Sequence, residues 1–159
     1  MGGGEMNLAR QIAILSIHDA YITEHYEKIA NSFGEIFKKY GLSAIIIGGN
    51  KLNRIAATSI RKKGNFVLGI IFDENIVETH YFDFILILRK ESKNNCLNTI
   101  LTSCGGIIVI GNLRQLEFEL PIPVYKYKNI VSIDKNCNIN NSSYDLKQIP
   151  IFDSVEDGV

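Results

Sequence analysis

The chain has 159 residues, of which 46% are hydrophobic, and it balances 17 basic against 17 acidic side chains. That length and apolar content suffice for one domain with a sizeable core and exclude disorder as the default. A formal charge of zero argues against a nucleic-acid surface or an anionic-membrane surface, and no apolar run approaches membrane-spanning length.

Residues 1–10, opening MGGGEM, read as a flexible leader, and residues 11–159 as a single domain. No secretory signal opens the chain, so a cytoplasmic location is expected. Cys96, Cys104 and Cys137 are odd in number and lack CxxC spacing. They read as free thiols, neither a disulfide framework nor a metal site.

Residues 11–17 (QIAILSI) form the first strand candidate, followed by a loop at His18 and Asp19. Thr23 is placed to cap a helix with Glu24 and Glu27 in its first turn. Tyr26, Ile29, Ala30, Phe33, Ile36, Phe37 and Tyr40 give that helix a broad apolar face, and Gly41 ends it. Ala44 to Ile47 is an all-apolar run suited to a strand covered on both faces. Gly48-Gly49 then turns the chain into a second helix, with Leu52, Ile55, Ala56, Ser59 and Ile60 at helical spacing and Gly64 as its stop. Residues 65–72 (NFVLGIIF) and 82–88 (FDFILIL) read as strands, the charged stretch 89–95 as a connection, and 96–104 as a short helix with Leu97, Ile100 and Leu101 inward. Ile107 to Ile110 is another buried strand, ending at Gly111-Asn112. Residues 113–120 suit one or two helical turns, and residues 122–127 a further strand. From Asn129 the pattern turns polar and loop-like, with an edge strand at 149–152.

Alternating strand and helix signals predict an α/β fold, a Rossmann-like three-layer α/β/α arrangement with a mainly parallel sheet. In such a fold, helices that begin just beyond strand ends aim N–H groups into a crevice where anions bind. Gly48, Gly49, Asn50, Lys51, Gly111, Asn112 and Arg114 are the candidate ligand-binding residues on that ground. The competing reading of each is plain: a tight turn at the glycines and solvated helix charges at Lys51, Arg54 and Arg114. His18-Asp19 could do acid–base work but has no evident nucleophile or metal partner, and His25 and His80 read as structural.

The order strand, GG turn, helix with Ala56-Ala57, VLGII strand, and later an apolar strand ending in glycine resembles the lysine-decarboxylase-like or LOG superfamily. Its members include cytokinin-riboside monophosphate phosphoribohydrolases and molybdenum-cofactor carrier proteins. The resemblance implies a phosphate-bearing ligand above the strand ends and a homodimer formed through apolar helix faces. Active members carry PGGxGTxxE after the later strand; residues 111–119 here read GNLRQLEFE. Glu119 falls on the motif's glutamate, with Glu117 a near alternative; Gly111 is the one glycine, and the threonine is missing. Leu97-Asn98 stands where the family places an arginine.

These departures have a physical meaning. A glycine-rich turn lets several N–H groups converge on a phosphate, and an arginine supplies a bidentate anchor. Without them the expected role is binding of a nucleotide or another phosphorylated small molecule, with weak catalysis or none. The alternatives are a nucleoside 5′-monophosphate phosphoribohydrolase using Glu119 as its carboxylate, and a non-catalytic structural or interaction protein that lost the pocket. No cofactor is named by the sequence, and no nucleic acid or membrane partner is expected.

Overall fold

The computed structural model describes residues 10–16, 23–72, 80–111, 129–133 and 151–152. Within them the chain runs β1 (Gln11–Ser16), α1 (Glu24–Tyr40), β2 (Ser43–Ile47), α2 (Lys51–Lys62), β3 (Val67–Ile71), β4 (Phe84–Ile87), α3 (Lys93–Ser103), β5 (Gly106–Ile110), β6 (Ile130–Ile133) and β7 (Ile151–Phe152). The strands form one sheet in the order β4-β3-β2-β1-β5-β6-β7. Every neighbouring pair is parallel, so the fold is the expected Rossmann-like α/β architecture. From β1 the chain steps outward through β2, β3 and β4, then returns to add β5 on the other side of β1. Right-handed crossovers therefore put α1 and α2 on one face and α3 on the other.

The core follows from the apolar runs. Ile14, Ile46, Val67, Ile107, Val109 and Ile110 are at most 1% exposed, as strands sandwiched between helices must be. On α1, Tyr26, Ile29, Ala30, Phe33, Ile36 and Phe37 are buried as their spacing predicts, with the Phe33 and Phe37 rings edge to face at 5.6 Å. Tyr40 departs from that reading: it is the last helical residue, 44% exposed, with the Lys39 ammonium over its ring. Gly41 closes α1 in the left-handed conformation, and Leu42 N–H reaches back to Phe37 O. Thr23 precedes α1, but only its backbone carbonyl serves the helix, accepting from Glu27 N–H; its side chain makes no cap.

α1 and α2 cross at unusually close range. Gly34 N–H donates to Ser59 Oγ at 2.9 Å, and that hydroxyl donates on to Asn31 O at 2.6 Å. The Lys63 ammonium, just past α2, pairs with Glu35 of α1 and holds that carboxyl below its ordinary range, with a smaller pull from Lys38. A lowered carboxyl pKa means the pair contributes above the unfolded value and is lost as pH falls through the folded one. Glu35 is exposed, so salt screens the effect. Lys63→Gln is expected to raise the Glu35 titration midpoint, read by carboxyl-carbon NMR; an unmoved midpoint would reject the pairing.

Three expectations need revising. The charged stretch after β4 is not a loop: a 3-10 turn at Lys90–Ser92 leads straight into α3, which starts at Lys93. Ile100, expected inward on α3, is only partly buried beside Leu97 and Leu101. The polar region after Asn129 begins with β6, a buried strand (IVSI) too short to stand out, entered through Asn129 at φ 55°. The strand expected at 122–127 lies outside the described residues. Among the described residues no helix is long and apolar enough to cross a membrane, and Cys96 and Cys104 carry free thiols.

Candidate functional site

The sheet reverses its order between β1 and β5, and the crevice beyond the carboxyl ends of those strands is where open α/β sheets bind ligands. Gly48 follows β2 and Gly111 follows β5, so the two stand at the same rim on either side of Ser16, the last residue of β1. Both turn the chain with positive φ, 95° at Gly48 and 113° at Gly111, where any Cβ would be strained. Gly49 needs no such conformation.

Each of the two hinge glycines first extends the sheet by one more bond. Gly48 N–H donates to Ile70 O at 2.9 Å, and Gly111 N–H donates to Ile133 O at 3.0 Å. Those donors are therefore held by the neighbouring strand and do not face the crevice. The Gly111 carbonyl is fixed as well, accepting from the buried Ser132 hydroxyl at 2.8 Å. Two rigid corners result, with the chain redirected immediately after the sheet ends.

At the first corner the sequence supplies its own polar lining. Asn50 caps α2, its side-chain oxygen accepting from Asn53 N–H at 2.9 Å. Asn53 is completely buried and donates its amide to Ile47 O at 2.8 Å and Gly48 O at 3.0 Å. The Ser16 hydroxyl shares its proton between Asn50 Oδ1 at 2.8 Å and Asn53 Oδ1 at 2.9 Å. This Ser16–Asn50–Asn53 cluster ties β1, the glycine turn and α2 into one unit. It also sets a neutral amide oxygen at the start of α2, where an anion would otherwise lie.

The remaining candidates divide clearly. Lys51 pairs with Glu27 across the α1–α2 boundary. Arg54 lies over the Tyr81 ring at 5.6 Å. These side chains, with Glu24 and Asn31, line a groove of about 610 Å³ between α1 and α2. That groove mixes both charge signs. Asn112, Arg114, Glu117 and Glu119, like His18 and Asp19, lie outside the described residues. Cys104 is no candidate nucleophile, because burial pushes its thiol pKa up, away from the reactive thiolate. Among the described residues no group of three His, Cys, Asp or Glu side chains is placed to hold a metal.

Sequence reasoning missed Asn53, Ser16 and Ser132, the polar groups that shape both corners. The Asn50-x-x-Asn53 spacing was the available signal, because a cap at Asn50 leaves the third residue of the helix beside it. Burial of that second asparagine depends on the β1 end packing over it, which spacing does not reveal.

No family model and no curated protein sequence matches this chain. Solved structures do. The X-ray structure of TM1055, a Northeast Structural Genomics Consortium target, superposes with a TM-score of 0.68 at 13% identity, over 92% of this chain and 94% of that one. Two structures of the Moco carrier protein from Chlamydomonas reinhardtii give TM-scores of 0.63 and 0.61 at 15% and 12% identity, each over 89% of this chain and 87% of theirs. At these identities the likeness is one of fold alone.

Proposed function

We propose that the protein binds a nucleotide or another phosphate-bearing small molecule at the reversal point of its sheet, as a member of the LOG superfamily whose catalytic motif has degenerated. The carrying observation is the pair of left-handed glycine corners, Gly48 and Gly111, at one rim on either side of β1. The fold's likeness to a protein named as a cofactor carrier supports binding without turnover. The Ser16–Asn50–Asn53 cluster closes the first corner, which favours the β5 side, at Gly111, for the ligand's phosphate on this reading. Asn112 and Arg114 are its anchors on this reading, with Gly48, Gly49 and Asn50 on the other side of β1.

A thermal-shift panel of nucleoside phosphates, phosphosugars and inorganic phosphate at millimolar concentration tests this. A ligand present at a hundred times its Kd stabilises by about 2.7 kcal/mol, which for a chain of this size raises the melting temperature by roughly 5–11 °C. The expected result is such a shift with at least one organic phosphate, reduced in Arg114→Ala; no shift with any of them overturns the reading. Release of free base from a nucleoside monophosphate, abolished by Glu119→Gln, would instead establish the hydrolase.

A further inference from the structure

The groove between α1 and α2 lies on the outer side of those helices, apart from the crevice at the sheet's reversal point. The helices cross at Gly34 and Ser59, where the Gly34 N–H donates to the Ser59 hydroxyl at 2.9 Å. The helical residues lining the groove all precede that crossing, within 24–31 on α1 and 51–58 on α2, and Tyr81 lies beside them. The volume of about 610 Å³ falls among small-molecule sites, which span roughly 300–1,000 Å³.

Three kinds of surface meet there. Ile55 and Tyr81 are half-buried and packed onto the core, and the Arg54 guanidinium over the Tyr81 ring steadies that platform. Asn31 and Thr58, the lining residues nearest the crossing, supply an amide and a hydroxyl, neutral groups that both donate and accept. Toward the rim the two walls carry opposite charge, and Glu27 of α1 pairs across the groove with Lys51 of α2. Glu24 and Lys28 pair with each other along α1, so they add no net charge.

The ion pair spanning the groove selects the class of ligand. Glu27 is 33% and Lys51 54% exposed, and a pair so exposed contributes little to stability and opens readily. A lone anion could take Lys51 only by leaving Glu27 beside it as a like charge. A lone cation at Glu27 would face Lys51 in the same way. A zwitterion avoids both costs: its ammonium goes to Glu27 and its carboxylate to Lys51, so one ion pair is exchanged for two and charge stays balanced. The amide of Asn31 and the hydroxyl of Thr58 match the C=O and N–H of a peptide bond, and the Ile55–Tyr81 platform takes apolar side chains. A free amino acid carries the two charges but lacks the peptide bond.

We propose that the α1–α2 groove is a binding site for short zwitterionic peptides with apolar side chains, a dipeptide being the smallest that meets all three surfaces. This site is separate from the phosphate site proposed above and does not rest on it. An amide NMR titration of the full chain with leucyl-phenylalanine tests it, run beside the N-acetylated and the C-amidated forms of the same dipeptide. The free dipeptide is expected to bind with a Kd of about 1 mM or tighter, and each blocked form about tenfold more weakly. Glu27→Gln and Lys51→Met are each expected to weaken the free dipeptide by about tenfold. Glu27→Gln should also erase the preference for the free over the acetylated amino end, a change in selectivity that a purely structural role would not produce. Both substitutions fall on an exposed pair, so the fold is kept, as circular dichroism melts check. No binding of the free dipeptide at about 10 mM overturns the proposal. So does equal affinity for the free and blocked forms, or a Glu27→Gln protein that still prefers the free amino end.

Discussion

Asn53→Leu is expected to destabilise the protein by about 3 kcal/mol or more, because two backbone carbonyls lose a buried donor at roughly 1–3 kcal/mol each. The carbonyls are those of Ile47 and Gly48, which Asn53 Nδ2 joins at 2.8 and 3.0 Å. Leucine keeps the branched shape but is the larger side chain, so overpacking at this fully buried position adds to the loss of the hydrogen bonds. It also removes the Asn53 Oδ1 contact with Ser16, though that hydroxyl still reaches Asn50. For a domain of this size the melting temperature should fall by roughly 6–12 °C. Asn50→Ala, which removes the cap and one of the two acceptors of the Ser16 hydroxyl, should cost about 1 kcal/mol. If Asn53→Leu melts no lower than Asn50→Ala, the cluster is not what fixes the first corner.

Gly34→Ala sets two effects of opposite sign against each other. Helix propensity alone favours alanine by about 1 kcal/mol. The added Cβ, however, would lie 2.3 Å from Ser59 O and 2.6 Å from Ser59 Oγ. The hydroxyl could rotate away, but the carbonyl belongs to the α2 backbone and cannot move without shifting the helix. Forced overpacking of this kind costs about 1–3 kcal/mol, sometimes more, so a net loss is expected, with Gly34→Val worse. Urea denaturation midpoints decide it: a Gly34→Ala protein as stable as the wild type would mean the helices do not cross this closely.

The sheet was largely legible because its strands are continuous apolar runs, the pattern that burial on both faces imposes. Gln11–Ser16, Ser43–Ile47, Val67–Ile71 and Gly106–Ile110 all lie where such runs fall. β6 escaped because IVSI carries a serine and follows a stretch with lysines and an asparagine, and its place between β5 and β7 is a matter of pairing that the run itself does not show. α3 was read too short since its first turn is charged and its apolar residues are sparse, leaving Leu97 and Leu101 alone fully inward. At the candidate site, the glycines declared themselves through their place between strand and helix. Their N–H groups being held by β3 and β6 did not, because that depends on which strand lies next door. Lys51 looked like an anion ligand until Glu27, a full crossover away in sequence, was found beside it.

The placement of β1 carries a consequence for synthesis. Its pairing with β2 is local, but its other edge waits for β5, where Ile12 meets Gly106 and Ser16 meets Ile110. Contacts so distant along the chain form late. As the polypeptide leaves the ribosome, the strand that ends up at the centre of the molecule is for a time an unfinished border, rich in isoleucine and open to a stranger. That interval, more than the finished form, is when mispairing with another chain is easiest.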